Sequence, residues 1–108
     1  MTDKKGIRTR CYYTDYINHM IRFYITCPEV VKLDGLRRAD VENWLAVQRI
    51  LHGMPESNRN RLIAVYGKHR NLLKAVDMYC AETGESERNI WFLINGTAAA
   101  IARQRGLI

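Results

Sequence analysis

Four side chains around the start of the last predicted helix have the chemistry to read nucleic-acid base edges. Arg88 offers a planar guanidinium that pairs bidentately with guanine, Asn95 an amide that pairs with adenine, Glu87 a carboxylate that accepts from cytosine, and Ser86 a small hydroxyl. A second set, Arg59, Arg61, Lys68, Arg70, Lys74, Arg103 and Arg105, has the charge to hold phosphates, which contributes affinity without sequence information. These cations lie in two stretches without a single acid, Ser57 to Val76 and Arg88 to Ile108. The same pattern also fits a merely solvated face, so the placement of the charge decides between the two readings.

Other chemistries find little support. His19, His52 and His69 fall on separate predicted elements, and the chain has no H-E-x-x-H, G-x-S-x-G or phosphate-binding glycine loop. Cys11, Cys27 and Cys80 lack a C-x-x-C spacing, which argues against a structural zinc. Cys80 reads as a small core hydrophobe beside Tyr79 rather than a nucleophile. The expectation is a protein without catalytic residues, metal or cofactor. Its net charge of +6 suits an anionic partner, and each half of the chain carries the same net +3. No apolar run is long enough for a membrane span and no signal peptide opens the chain, so a cytoplasmic location with reduced thiols is expected.

The elements that position these residues are all helical. Residues 1–10 read as a flexible basic arm ahead of a single helical domain over 11–108. Tyr13, Ile17, Met20, Ile21, Tyr24 and Ile25 predict one face of a first helix over Tyr12 to Thr26, stopped by Pro28. Tyr12, Tyr16 and Phe23 lie off that stripe, so this helix is either buried on two sides or a partner surface, such as a homodimer contact. Asp40 is placed to cap a second helix running from Val41 to about His52, with Val41, Trp44, Leu45, Val47 and Leu51 inward and Gly53 closing it. Pro55 opens a third at its first helical position, with Leu62, Ile63, Val65 and Tyr66 apolar and Gly67 at its end. Leu72, Leu73, Val76, Tyr79 and Cys80 mark a fourth helix over about Asn71 to Glu82. Gly84 turns the chain and Ser86 caps a fifth helix, whose inward stripe is Ile90, Leu93, Ile94, Ala98 and Ile101, with Gly106 closing it. Trp91 and Phe92 are adjacent and cannot both face the core; one of them packed on the first helix is the favoured arrangement.

The fold class is therefore all-α, a five-helix single domain with a C-terminal helix-turn-helix over about 71–106. That motif wants a small residue where its helices cross, glycine four residues later, and apolar residues six and nine positions beyond the glycine. Cys80, Gly84, Ile90 and Leu93 meet these requirements, while Thr83 and Glu85 stand beside the glycine where such turns usually carry an apolar residue.

From about Asp40 onward the order resembles the C-terminal, promoter-reading domain of bacterial sigma factors and the sigma-like regulators of phages and mobile elements. The resemblance rests on Leu51-His-Gly-Met-Pro55-Glu, on Arg59 to Tyr66, and on Ala75 to Gly84 followed by Ser86 and a basic-ended helix reaching Arg105. It implies sequence-specific duplex DNA binding in transcription regulation, with RNA polymerase or another protein as a further partner. The rival expectation is a helical protein-binding module of a mobile element, an inhibitor or adaptor of the anti-CRISPR kind, docking on a nucleic-acid-binding protein. Positive charge on one continuous face favours DNA; scattered charge beside an exposed aromatic patch favours a protein.

Overall fold

Apolar residues at spacings of three and four dominate the chain, and a computed structural model, which describes residues 13–26 and 38–108, folds them into helices throughout. The order is α1 (Thr14–Thr26), α2 (Arg38–His52), α3 (Glu56–Lys68), α4 (Leu72–Thr83) and α5 (Glu87–Gln104). No strand occurs among the described residues. The expected arm over 1–10, Tyr12 and the stop at Pro28 lie outside them.

α5 organises the packing, because it touches each of the other four helices. Its buried stripe, Ile90, Ile94, Ala98 and Ile101, meets Ile17, Met20 and Ile21 of α1, Val47 and Leu51 of α2, Leu62, Val65 and Tyr66 of α3, and Val76 and Tyr79 of α4 in one core. Trp44 is also fully buried, with the Tyr24 ring tilted against it at a centroid separation of 4.9 Å. Trp91 joins the core, whereas its neighbour Phe92 points to solvent.

Several boundaries differ from expectation for local reasons. α2 begins at Arg38, so Asp40 lies in its first turn instead of capping it; an Arg38–Glu42 pair at one-turn spacing, 3.0 Å, accompanies the added residues. Pro55 stands at the N-cap of α3, one position before the first helical residue, and the helix runs through Gly67 to end at Lys68. Leu45, Ile63 and Leu73, expected inward, are exposed. Their places go to smaller or polar neighbours: Ala46 and Asn43 in α2, and Ala75 in α4.

Polar side chains complete the assembly. The buried Asn43 donates from Nδ2 to the Tyr16 hydroxyl at 2.8 Å and accepts from Arg105 Nε at 2.7 Å, which joins α2 to α1 and to the end of α5. Arg22 of α1 donates to the Tyr66 and His69 carbonyls, both at 2.9 Å, and satisfies acceptors left open at the end of α3. Beyond α5, Gly106 takes φ 75° while Leu107 N–H bonds back to the Ala102 carbonyl and Gly106 N–H to that of Arg103. This closing geometry turns Leu107 onto the core and fixes the backbone beside Arg105.

Candidate nucleic-acid interface

The junction between α4 and α5 is three residues long, Gly84 to Ser86. Gly84 adopts φ 79°, a left-handed conformation that a side chain would strain, and its N–H closes α4 on the Cys80 carbonyl at 2.8 Å. Ser86 caps α5, its hydroxyl accepting from Asn89 N–H. Thr83 and Glu85, on either side of the glycine, tie the turn with hydrogen bonds. Thr83 Oγ1 donates to the Tyr79 carbonyl and accepts from Glu85 N–H, and the Glu85 carboxylate accepts from the Tyr79 hydroxyl at 2.8 Å. Arg61 of α3 reaches the same carboxylate at 3.2 Å. The Tyr79 hydroxyl is accordingly held neutral, its pKa raised by burial and by Glu85.

Beyond the turn, α5 stands as a ridge between two depressions. On one side a cleft of about 300 Å³ opens toward α1 and the start of α4, with Asn18, Arg22, Arg70, Asn71, Trp91 and Asn95 in its wall. On the other side a shallow apolar groove runs along the end of α2, bordered by Arg49, Ile50, Met54, Leu93, Gly96 and Ala100. Phe92 and Gly96 are exposed on the crest at the edge of this groove, with Arg88 one turn before Phe92 and Arg103 near the far end.

The four residues expected to read bases separate on this scaffold. Arg88 is exposed on the crest. Asn95 is half-buried in the wall of the α1 cleft, which Arg70 also lines. The Ser86 oxygen serves its own helix as a cap. Glu87 lies on the α4 side, close enough that its charge adds to burial in raising the Cys80 thiol pKa.

The seven cations expected on phosphates divide as well. Arg61 is paired with Glu85, Lys68 with Glu82, and Arg105 with Glu42 at 3.4 Å and with Asn43. Arg59 leans on the Leu51 carbonyl at 3.4 Å. Arg70, Lys74 and Arg103 are exposed. Arg49, which sequence reasoning passed over, adds a further exposed cation at the groove edge. The signal for it was available: Trp44, Val47 and Leu51 point inward, which leaves position 49 outward.

Among the described residues no cluster of histidine, cysteine or carboxylate side chains could hold a metal ion, and no helix is long and apolar enough to cross a membrane. Compared with protein-family models, curated proteins and solved structures, the chain matches none.

Proposed function

We propose that this chain is a sequence-specific duplex DNA-binding protein in which α4, the Gly84 turn and α5 act as a helix-turn-helix. α5 enters the major groove, and Arg88 makes the principal polar contact to a base. Arg70, Lys74 and Arg103 face flanking phosphates, with Arg49 on the opposite side of the ridge. The observation that carries this reading is the outward face of α5, which lies between two depressions and bears Arg88 and Arg103 within a run that contains no acid. The resemblance to sigma-like regulators extends the proposal to control of transcription on a phage or mobile element, with RNA polymerase or a second copy of the chain as companion.

The test is retention of random-sequence duplexes across a salt series, followed by sequencing of the retained pool. Micromolar or tighter binding that falls steeply with salt, together with an enriched motif, is the expected result. Arg88→Ala should weaken the enriched site by about 1–3 kcal/mol and relax one base position. A protein-binding module is the second reading, favoured by the exposed Phe92 ring beside an apolar groove and by the engagement of Arg59, Arg61, Lys68 and Arg105 within the fold, which leaves the positive charge scattered. Absence of retention at low salt selects it.

A further inference from the structure

The crest of α5 carries an aromatic ring that the fold does not use. Phe92 is 78% exposed, more than any other large hydrophobic side chain among the described residues. Its surroundings on the helix are low. Gly96 follows one turn later, and a Cβ built there would meet nothing within 4 Å, so internal packing does not explain the glycine. Ala99 is small and completes the same face, and Arg88 precedes the ring by one turn. The ring therefore projects beside a smooth stretch of helix, at the edge of the apolar groove, with a guanidinium on the same line.

The charge around it narrows the choice of partner. Arg49, Arg88 and Arg103 are exposed on or beside this ridge, and Glu85, the acid that shares a hollow with Phe92, is paired with Arg61. Two such faces repel, which disfavours a second copy and favours an anionic partner that offers an apolar spot at fixed depth. The major groove of DNA is such a partner, because thymine alone among the four bases presents a methyl group there.

We propose, resting on the reading that α5 lies in the major groove, that Phe92 is a specificity-determining residue that packs against a thymine 5-methyl while Arg88 reads a neighbouring guanine. Four residues along a helix advance about 6 Å, and base pairs are stacked about 3.4 Å apart. The thymine and the guanine therefore lie about two base pairs from each other. Arg88 supplies the hydrogen-bonded register, and Phe92 adds discrimination by excluding water from the methyl.

The experiment uses the full chain and the duplex enriched in the salt-series selection. Each thymine is replaced singly by deoxyuridine, which removes the methyl and keeps the pairing. One position, about two base pairs from the Arg88-dependent guanine, should bind about fourfold more weakly, the effect of one methyl group returned to water. Phe92→Ala, expected to fold normally because the ring is solvent-facing, should bind the thymine and deoxyuridine duplexes alike. Arg88-dependent binding with no deoxyuridine-sensitive position overturns the role of Phe92 and leaves the DNA reading standing. Binding to the thymine duplex that Phe92→Ala leaves unchanged does the same and leaves the ring for a protein partner. No retention of any duplex overturns both.

Discussion

The guanidinium of Arg61 lies 3.2 Å from Glu85 and 3.0 Å from the Asn58 side-chain oxygen, whereas that of Arg70, nine positions on in the same acid-free stretch, is exposed at the rim of the α1 cleft. Composition treats the two as equivalent; their partners do not. Arg61 fastens α3 to the turn that sets the direction of α5, so its loss acts on the fold. Its side chain is 41% exposed, which keeps the contribution of the pair to at most about 1 kcal/mol. Arg61→Ala should therefore lower the melting temperature slightly and leave the salt dependence of DNA binding as in the parent. Arg70→Ala should leave the melting temperature alone and reduce the slope of log affinity against log salt by about one. Thermal melts and salt titrations on the two variants separate the roles. If Arg61→Ala reduces the slope by one as well, its guanidinium is released to DNA on binding and the turn is not its main attachment.

At the scale of elements, two glycines of the last third of the chain should respond in opposite directions to the same substitution. Gly84 ends α4 at φ 79°, so Gly84→Ala forces a side chain into the left-handed region and should cost about 1–2 kcal/mol. Gly96 lies in the interior of α5 with open space where a Cβ would go, so Gly96→Ala should stabilise by up to about 1 kcal/mol through helix propensity alone. Denaturant unfolding of both variants reads the two signs directly; a destabilised Gly96→Ala would mean that the helix is bent there. Gly84 and Ser86 were legible as turn and cap because capping depends on one residue and its immediate neighbours, whereas Asn71, read as the first residue of the fourth helix, stands one position before it and caps it. The exposure of Leu45, Ile63 and Leu73 was not, since periodicity gives the direction of an apolar stripe and tertiary neighbours decide its width. The candidate site divides on the same line. The outward position of Arg88 follows from Ile90 and Ile94 pointing in, but the withdrawal of Asn95 into a cleft depends on where α1 lies. The use of Arg105 as a brace depends on Asn43, 62 residues away, and no local pattern announces a hydrogen bond across that separation.

For the molecule as a whole, the attachment of α1 decides how the fold responds to pH. Ile17, Met20 and Ile21 bury its apolar face, and polar contacts hold it to both sides of the bundle: Tyr16 to Asn43 of α2, and Asn18 and Arg22 to the end of α3. Tyr66 is central to the second contact. Its hydroxyl donates to Asn18 Oδ1 at 2.6 Å, Arg22 lies over its ring at 5.2 Å, and only 3% of the residue is exposed. Burial pushes its pKa well above the ordinary 10.0, and the nearby Arg22 charge offsets only part of that rise. A raised pKa means that the fold favours the neutral phenol. The stability this provides is fully present below pH 10.0 and is lost as pH rises above that value toward the folded-state pKa, by about 1.4 kcal/mol per pH unit for one group. Other groups titrate in the same range, including Tyr24 and Tyr79, whose pKa values are also raised by burial, so the contribution of Tyr66 has to be isolated by difference. Tyr66→Phe removes the ionisation at a cost of about 1 kcal/mol near neutral pH for the lost hydrogen bond. Above pH 10 its stability should fall less steeply than that of the parent, and the two curves should converge. Denaturant unfolding from pH 7 to 11, followed together with tyrosinate absorbance, checks this. If the parent forms its full complement of tyrosinate before any helicity is lost, Tyr66 ionises within the folded protein, and its contact with Asn18 and Arg22 is not what holds α1 in place.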